Sequence, residues 1–201
     1  MLYLATASGP KVRDAMTRGL IGQMVTPDAG NRIVPGVTWA FDNGCFSSQW
    51  TPGLWLRTLD RYQDTPGCVF AVVPDVVADA ASTDLRWHRW AGEVADRGYT
   101  PAYVVQNGCD GIPDNAGAVF IGGDTAWKLG PEARHLAGMA NRNGLWLHAG
   151  RVNSLRRLRY MADLGCDSAD GTYLAFGPDT NLPKLLAWLH PAQPSLFGGV
   201  A

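Results

Sequence analysis

Two aspartates define the chemistry open to this chain. Asp170 lies in Gly165-Cys166-Asp167-Ser168-Ala169-Asp170-Gly171-Thr172, a short strand of small residues that closes on Gly-Thr, and Asp42 follows the apolar run Val37–Phe41. A carboxylate carried to the rim of a fold by the end of a strand can act as a nucleophile. A pair of them can break a glycosidic bond, one trapping the anomeric carbon while the other carries a proton, and the proton donor must then titrate high. Each acid also has a plainer reading, because Asp-Asn-Gly and Asp-Gly are turn signatures, and Asp167 competes with Asp170 for the same role. Further polar residues follow strand ends in the same manner: Asp75, Gln106, Gly122-Gly123 and His148.

The elements that must position them alternate along the chain. Strand-like runs are expected at 2–7, 23–26, 37–41, 68–73, 102–105, 119–121, 145–147 and 165–172, several of them nearly continuous apolar stretches as in a parallel sheet covered on both faces. Between them lie helical patterns. Pro10 and Pro52 stand at first helical positions, Ser82-Thr83-Asp84 is a cap for a helix with Trp87, Trp90, Ala91 and Val94 on one face, and Asn153 or Ser154 caps a helix with Leu155, Leu158, Met161 and Leu164 inward. Asn181-Leu182-Pro183 reads as the start of the last helix. Eight strands alternating with helices specify an α/β fold, a single compact (β/α)8 barrel over 1–190 with some helices short or missing, followed by a tail at 191–201. A doubly wound sheet is the other arrangement that gathers strand ends, but no GxGxxG follows a strand.

Composition narrows the partners. The 201 residues are 46% hydrophobic and carry a net charge of -1, so there is no global basic field and phosphate contacts must come from a local patch. The four cysteines, at 45, 68, 109 and 166, lack CxxC spacing and nearby paired histidines, which argues against structural zinc and a disulfide framework. Neither a signal peptide nor a membrane-length apolar run is expected, and the sequence points to a cytoplasmic protein that needs no metal or cofactor.

Taken in order, Phe41-Asp42-Asn43-Gly44-Cys45-Phe46, Val73-Pro74-Asp75, Val105-Gln106-Asn107-Gly108, Ile121-Gly122-Gly123, His148-Ala149-Gly150 and Gly165–Asp170 resemble the motifs of the tRNA-guanine transglycosylase superfamily. The resemblance is nearest to its small phage and bacterial members that place 7-deazaguanines into DNA, which for a phage protein means the host cytoplasm. It implies Asp170 as nucleophile, Asp42 as general acid/base and Phe46 as an aromatic stacked on the bound base. Asp75, Gln106 and Gly122-Gly123 fall where the family reads the edge of a guanine-like base; His148 takes a position that is usually apolar, on the base's other face. The family's Phe before the nucleophile is Ala169 here, and the zinc-binding Cys/His element of the tRNA enzymes has no match, which favours DNA over tRNA as substrate and a free 7-deazaguanine as second reactant. Chemically, Asp75 can accept from the N1–H and 2-amino group of guanine, Gln106 can bond its carbonyl, and the paired glycines can let main-chain N–H groups approach.

Arg151, Arg156, Arg157 and Arg159 cluster at and after the seventh strand, next to a helix start that favours phosphate. Arg151 and Arg156 are the expected nucleic-acid contacts, and Arg157 and Arg159 read as a solvated helix face. A hydrolytic N-glycosidase would use the same two carboxylates, and a barrel that only binds a base or nucleic acid would need neither. In the tail, Gln193-Pro194-Ser195-Leu196-Phe197 resembles the peptides that bacterial replication proteins insert into the sliding clamp, with Gln193, Leu196 and Phe197 as anchors, or else folds back against the barrel.

Overall fold

The computed structural model describes residues 1–190 apart from 29, 31 and 48, so the clamp-like stretch with Gln193, Leu196 and Phe197 lies outside the described residues. The strands are β1 (Leu2–Ala5), β2 (Gly22–Val25), β3 (Trp39–Phe41), β4 (Cys68–Val72), β5 (Pro101–Val105), β6 (Ala118–Ile121), β7 (Trp146–Ala149) and β8 (Ser168–Asp170). Each pairs in parallel with the next, and β8 returns to β1 with Leu4 opposite Asp170, closing an α/β (β/α)8 barrel. The helices are α1 (Pro10–Thr17), α2 (Pro52–Tyr62), α3 (Ala80–Ala95), α4 (Thr125–Lys128), α5 (Pro131–Arg142), α6 (Leu155–Asp163) and α7 (Pro178–Leu189), and β2 runs to β3, and β5 to β6, without one among the described residues. Those two helix-free connections are how a chain this short completes the barrel, while the four-residue α4 precedes α5 in the β6–β7 connection.

Local chemistry sets the helix starts, sometimes a few residues from where the sequence suggests. Thr51 caps α2 through its side chain with Pro52 behind it, as expected. Helix α3 is capped by Asp79 rather than by Ser82-Thr83-Asp84, because the Asp79 carboxylate accepts from the Ser82 N–H, and Thr83 turns inward to bond Val76 instead. Helix α7 begins at Pro178 and carries Pro183 inside it. Of the two candidates at α6, Ser154 is the cap.

Two apolar layers result. Leu4, Met24, Ala40, Phe70, Val72, Ala102, Val104 and Ala118 point into the lumen, and the alternate strand residues pack outward against the helices. Trp39, Trp55 and Trp87 are fully buried in the outer layer. Each such indole removes roughly 150–250 Å² from water, about 4–6 kcal/mol before entropy is counted. Trp87 is thus a core residue, its indole N–H held by Asn115 at 3.0 Å, and not a stacking platform.

Candidate active site

The C-terminal ends of the strands surround a cavity of about 350 Å³ lined by Asp42, Phe46, Asp75, Gln106, Gly122, Gly123, Arg151 and Asp170 over an apolar floor that includes Leu4, Met24, Val72, Val104 and Phe120. A purine fits such a volume. Of the residues singled out from the sequence, His148 and Arg156 do not line it.

Asp170 is held from the neighbouring loop. Its Oδ1 accepts the Arg151 N–H at 2.8 Å and its carbonyl accepts the Val152 N–H at 2.6 Å; among the described residues no hydrogen bond reaches Oδ2. Arg151 adopts φ 60°, a left-handed backbone that is costly for a side chain and persists only where its surroundings enforce it. Here the enforcement is its amide on Asp170 and its guanidinium on the Gly123 carbonyl. Gly171 has ordinary φ but no room for a side chain, since a Cβ would collide with Asn153 Oδ1, Tyr3 Oη and the Val152 carbonyl. The Asp-Gly pair therefore reflects packing rather than a turn.

Asp42 follows β3, its Oδ1 accepting the Gly44 N–H at 3.2 Å. Burial, and then the charge of Asp170, raise its carboxyl from 3.8 to about 7. Asn43 ties this rim together: its Nδ2 donates to the Val73 carbonyl and to Asp75 Oδ1, both at 2.9 Å, and its Oδ1 accepts the Cys45 N–H at 2.7 Å. Burial also raises the Asp75 carboxyl, opposed by the Asn43 bond. Phe46 stands at the lip with 79% of its surface exposed, and Val77 lines the same opening.

Four residues sit differently from their sequence reading. The Gln106 amide is committed to the β4–α3 loop: Oε1 accepts the Ala78 N–H at 2.7 Å, and Nε2 donates to the Val76 carbonyl at 2.8 Å and to Thr83 Oγ1 at 2.5 Å. It shapes the wall and has no N–H left to donate to a base carbonyl. Gly122 donates its N–H to the Val105 carbonyl at 2.9 Å, so of the glycine pair only Gly123, at φ 69°, keeps an amide uncommitted among the described residues. Arg156 is exposed on α6 and lines neither this cavity nor its neighbour.

His148 is the fourth. Because β7 extends to Ala149, His148 points into the lumen opposite Ser168 and is wholly buried, its ring 4.7 Å from Phe120 and 5.1 Å from Phe70. Trp146 Nε1 donates to Ser168 Oγ at 2.9 Å, and the same Oγ lies 2.8 Å from His148 Nδ1. An indole N–H only donates, so Ser168 Oγ accepts from Trp146 and its own proton is free for Nδ1, the arrangement in which the histidine carries its proton on Nε2. That nitrogen has no hydrogen-bond partner among the described residues and lies 3.7 Å from Asp170 Oδ1. Sequence reading missed Trp146 and Ser168; their only signal was the period-two pattern that puts 146, 148, 168 and 170 inside.

Among the described residues, no three His, Cys, Asp or Glu side chains converge as a metal site, all four cysteines are free, and no helix is long and apolar enough to cross a membrane. No family model and no curated protein matches the chain. Among solved structures it is similar to the Amycolatopsis orientalis BexX/CysO complex, at 16% identity over 99% of this chain and 93% of that one, with a TM-score of 0.52. It is also similar to the PaMucR phosphodiesterase in its c-di-GMP complex, at 14% identity over 68% and 60% with a TM-score of 0.41. The first likeness is one of fold; the second adds nothing to it.

Proposed function

We propose that this barrel is a base-exchanging glycosyltransferase that replaces guanine in DNA with a 7-deazaguanine through a covalent aspartyl-glycosyl intermediate. The observation that carries the reading is the pair of carboxylates in one purine-sized cavity, with Asp42 poised to hold a proton near neutral pH. An Asp170 carboxylate oxygen bonds to C1′ as the C1′–N9 bond breaks, and Asp42 gives its proton to the departing guanine. The incoming base loses its N9 proton to the Asp42 carboxylate, and N9 attacks C1′ to release Asp170. Atoms and charge then balance, with no water consumed.

Several features support the base site. Asp75 presents an acceptor to the N1–H and 2-amino edge, the Gly123 amide is the uncommitted donor, and the exposed Phe46 ring offers a stacking face over the apolar floor. The test is exchange of labelled guanine on DNA and on tRNA, with denaturing gels for the covalent adduct. Exchange on DNA with an adduct is expected. Exchange on tRNA alone would overturn the choice of polynucleotide, and guanine release without exchange would identify a hydrolase.

A further inference from the structure

A second cavity, about 180 Å³, lies beside the first between α4, the β7–α6 loop and the start of α6. Its polar lining is Thr125, Lys128, Arg151, Asn153 and Arg157. Lys128 is 5% exposed, and its ammonium donates to the Gly150 carbonyl at 2.5 Å, one partner for a group with three donors. None of Lys128, Arg151 and Arg157 forms an ion pair among the described residues. A buried ammonium without a counter-ion is costly, and here two guanidinium groups add to the cost. Burial and then the charge of Arg151 push the lysine down to about 8, with Asp170 and Cys166 opposing and Arg157 adding to the fall. The Asn153 Oδ1 is also buried without a partner. The cavity is electrostatically incomplete, and a compact anion with several acceptor oxygens completes it.

We propose that this cavity is a phosphate site, formed by Lys128, Arg151 and Arg157. Resting on the base-exchange reading above, the phosphate is the phosphodiester beside the reacting nucleoside, because Arg151 lines both cavities. A free phosphate ester would satisfy the same groups. Arg157, which the sequence suggests to be solvated, thus takes the role expected of Arg156.

The experiment titrates the full chain with inorganic phosphate against chloride at matched ionic strength, reading thermal protection and calorimetry, for wild type, Lys128→Met and Arg157→Gln. Methionine keeps the buried stem without the charge, and Arg157 is only half-buried, so at least one variant folds. Phosphate should protect wild type, and each variant should bind roughly tenfold or more weakly, as expected when a charge-assisted bond is lost. A second arm measures the salt dependence of single-stranded oligonucleotide binding. A slope reduced by about 1 in each variant assigns the site to the polynucleotide, whereas an unchanged slope assigns it to a free phosphate ester and overturns the phosphodiester assignment. No phosphate-specific protection of wild type, or equal binding by all three proteins, would overturn the site itself. Phosphate binding needs no turnover, so a wild type that binds phosphate yet exchanges no base refutes the proposed function and leaves the site standing.

Discussion

Replacing Asp42 by asparagine should stabilise the protein at alkaline pH while disabling it. The amide has the carboxyl's volume, and its oxygen can still accept the Gly44 N–H. In the wild type the carboxyl is raised from 3.8 to about 7, first by burial and then by Asp170. The native state therefore keeps a proton that the unfolded chain has released, and stability falls as pH rises from about 4 to about 7, then levels off. At ~1.4 kcal/mol per pH unit the full span is about 4 kcal/mol. Asp42 is only half-buried and faces the cavity, so water recovers part of that cost and about 2–4 kcal/mol is the working range. For a chain of this length that is about 4–16 °C in Tm. Melting wild type and Asp42→Asn at pH 4 and pH 8.5 isolates the effect, because every other titrating group is common to both. The variant's advantage should be near zero at pH 4 and reach this range at pH 8.5. An advantage independent of pH, or a less stable variant at pH 8.5, would refute the account of why Asp42 holds its proton.

Asp170→Asn should abolish the covalent adduct with the fold intact, whereas Asp167→Asn should retain it, since the Asp167 carboxylate serves the Leu147 N–H at 2.8 Å; denaturing gels distinguish them. His148→Phe extends the aromatic packing with Phe70 and Phe120 and should cost about 1 kcal/mol for the Ser168 hydroxyl it strands. With Nε2 3.7 Å from Asp170 Oδ1, a positioning role for His148 predicts that its loss slows adduct formation about 10–100-fold with KM little changed, and an unaltered rate would deny that role. Gln106→Leu should destabilise by about 1–3 kcal/mol through the unpaired groups of the β4–α3 loop in denaturant titrations, without relaxing base choice. Arg151→Gly and Arg151→Ala should weaken DNA binding alike, but the glycine variant should be about 1 kcal/mol more stable because only alanine retains the left-handed strain.

The barrel was legible because parallel strands covered on both faces read as apolar runs, and each run here stops at a polar or glycine residue that ends the ladder. Cys68–Val72 ahead of Pro74-Asp75 and Ala118–Ile121 ahead of Gly122-Gly123 are examples. Since all eight strands run the same way, knowing where they end places Asp42, Asp75 and Asp170 on one rim without knowledge of any contact. The placement of the three acids around one cavity was therefore within reach of sequence, as was that of Arg151.

Which side chain faces which space was not, and the reason is rotational. Successive residues of a helix are about 100° apart, and with Leu158 and Met161 as the buried residues of α6, Arg157 shares the face of Met161 and turns to the cavity while Arg156 turns to solvent. In a strand, one residue decides between faces: ending the seventh strand at Leu147 leaves His148 on the rim, while continuing it to Ala149 buries the imidazole beneath Asp170. Gln106 fails for a different reason. Its amide is spent on Val76, Ala78 and Thr83, 23 to 30 residues away, and no local pattern records a bond made across the wall of a barrel. Charges follow the same logic, since the burial of Lys128 with no ion pair among the described residues arises only when α4 is folded under the β7–α6 loop. Sequence thus places the candidate residues to the nearest strand end, and the last 100° of rotation decides which groups face the cavity.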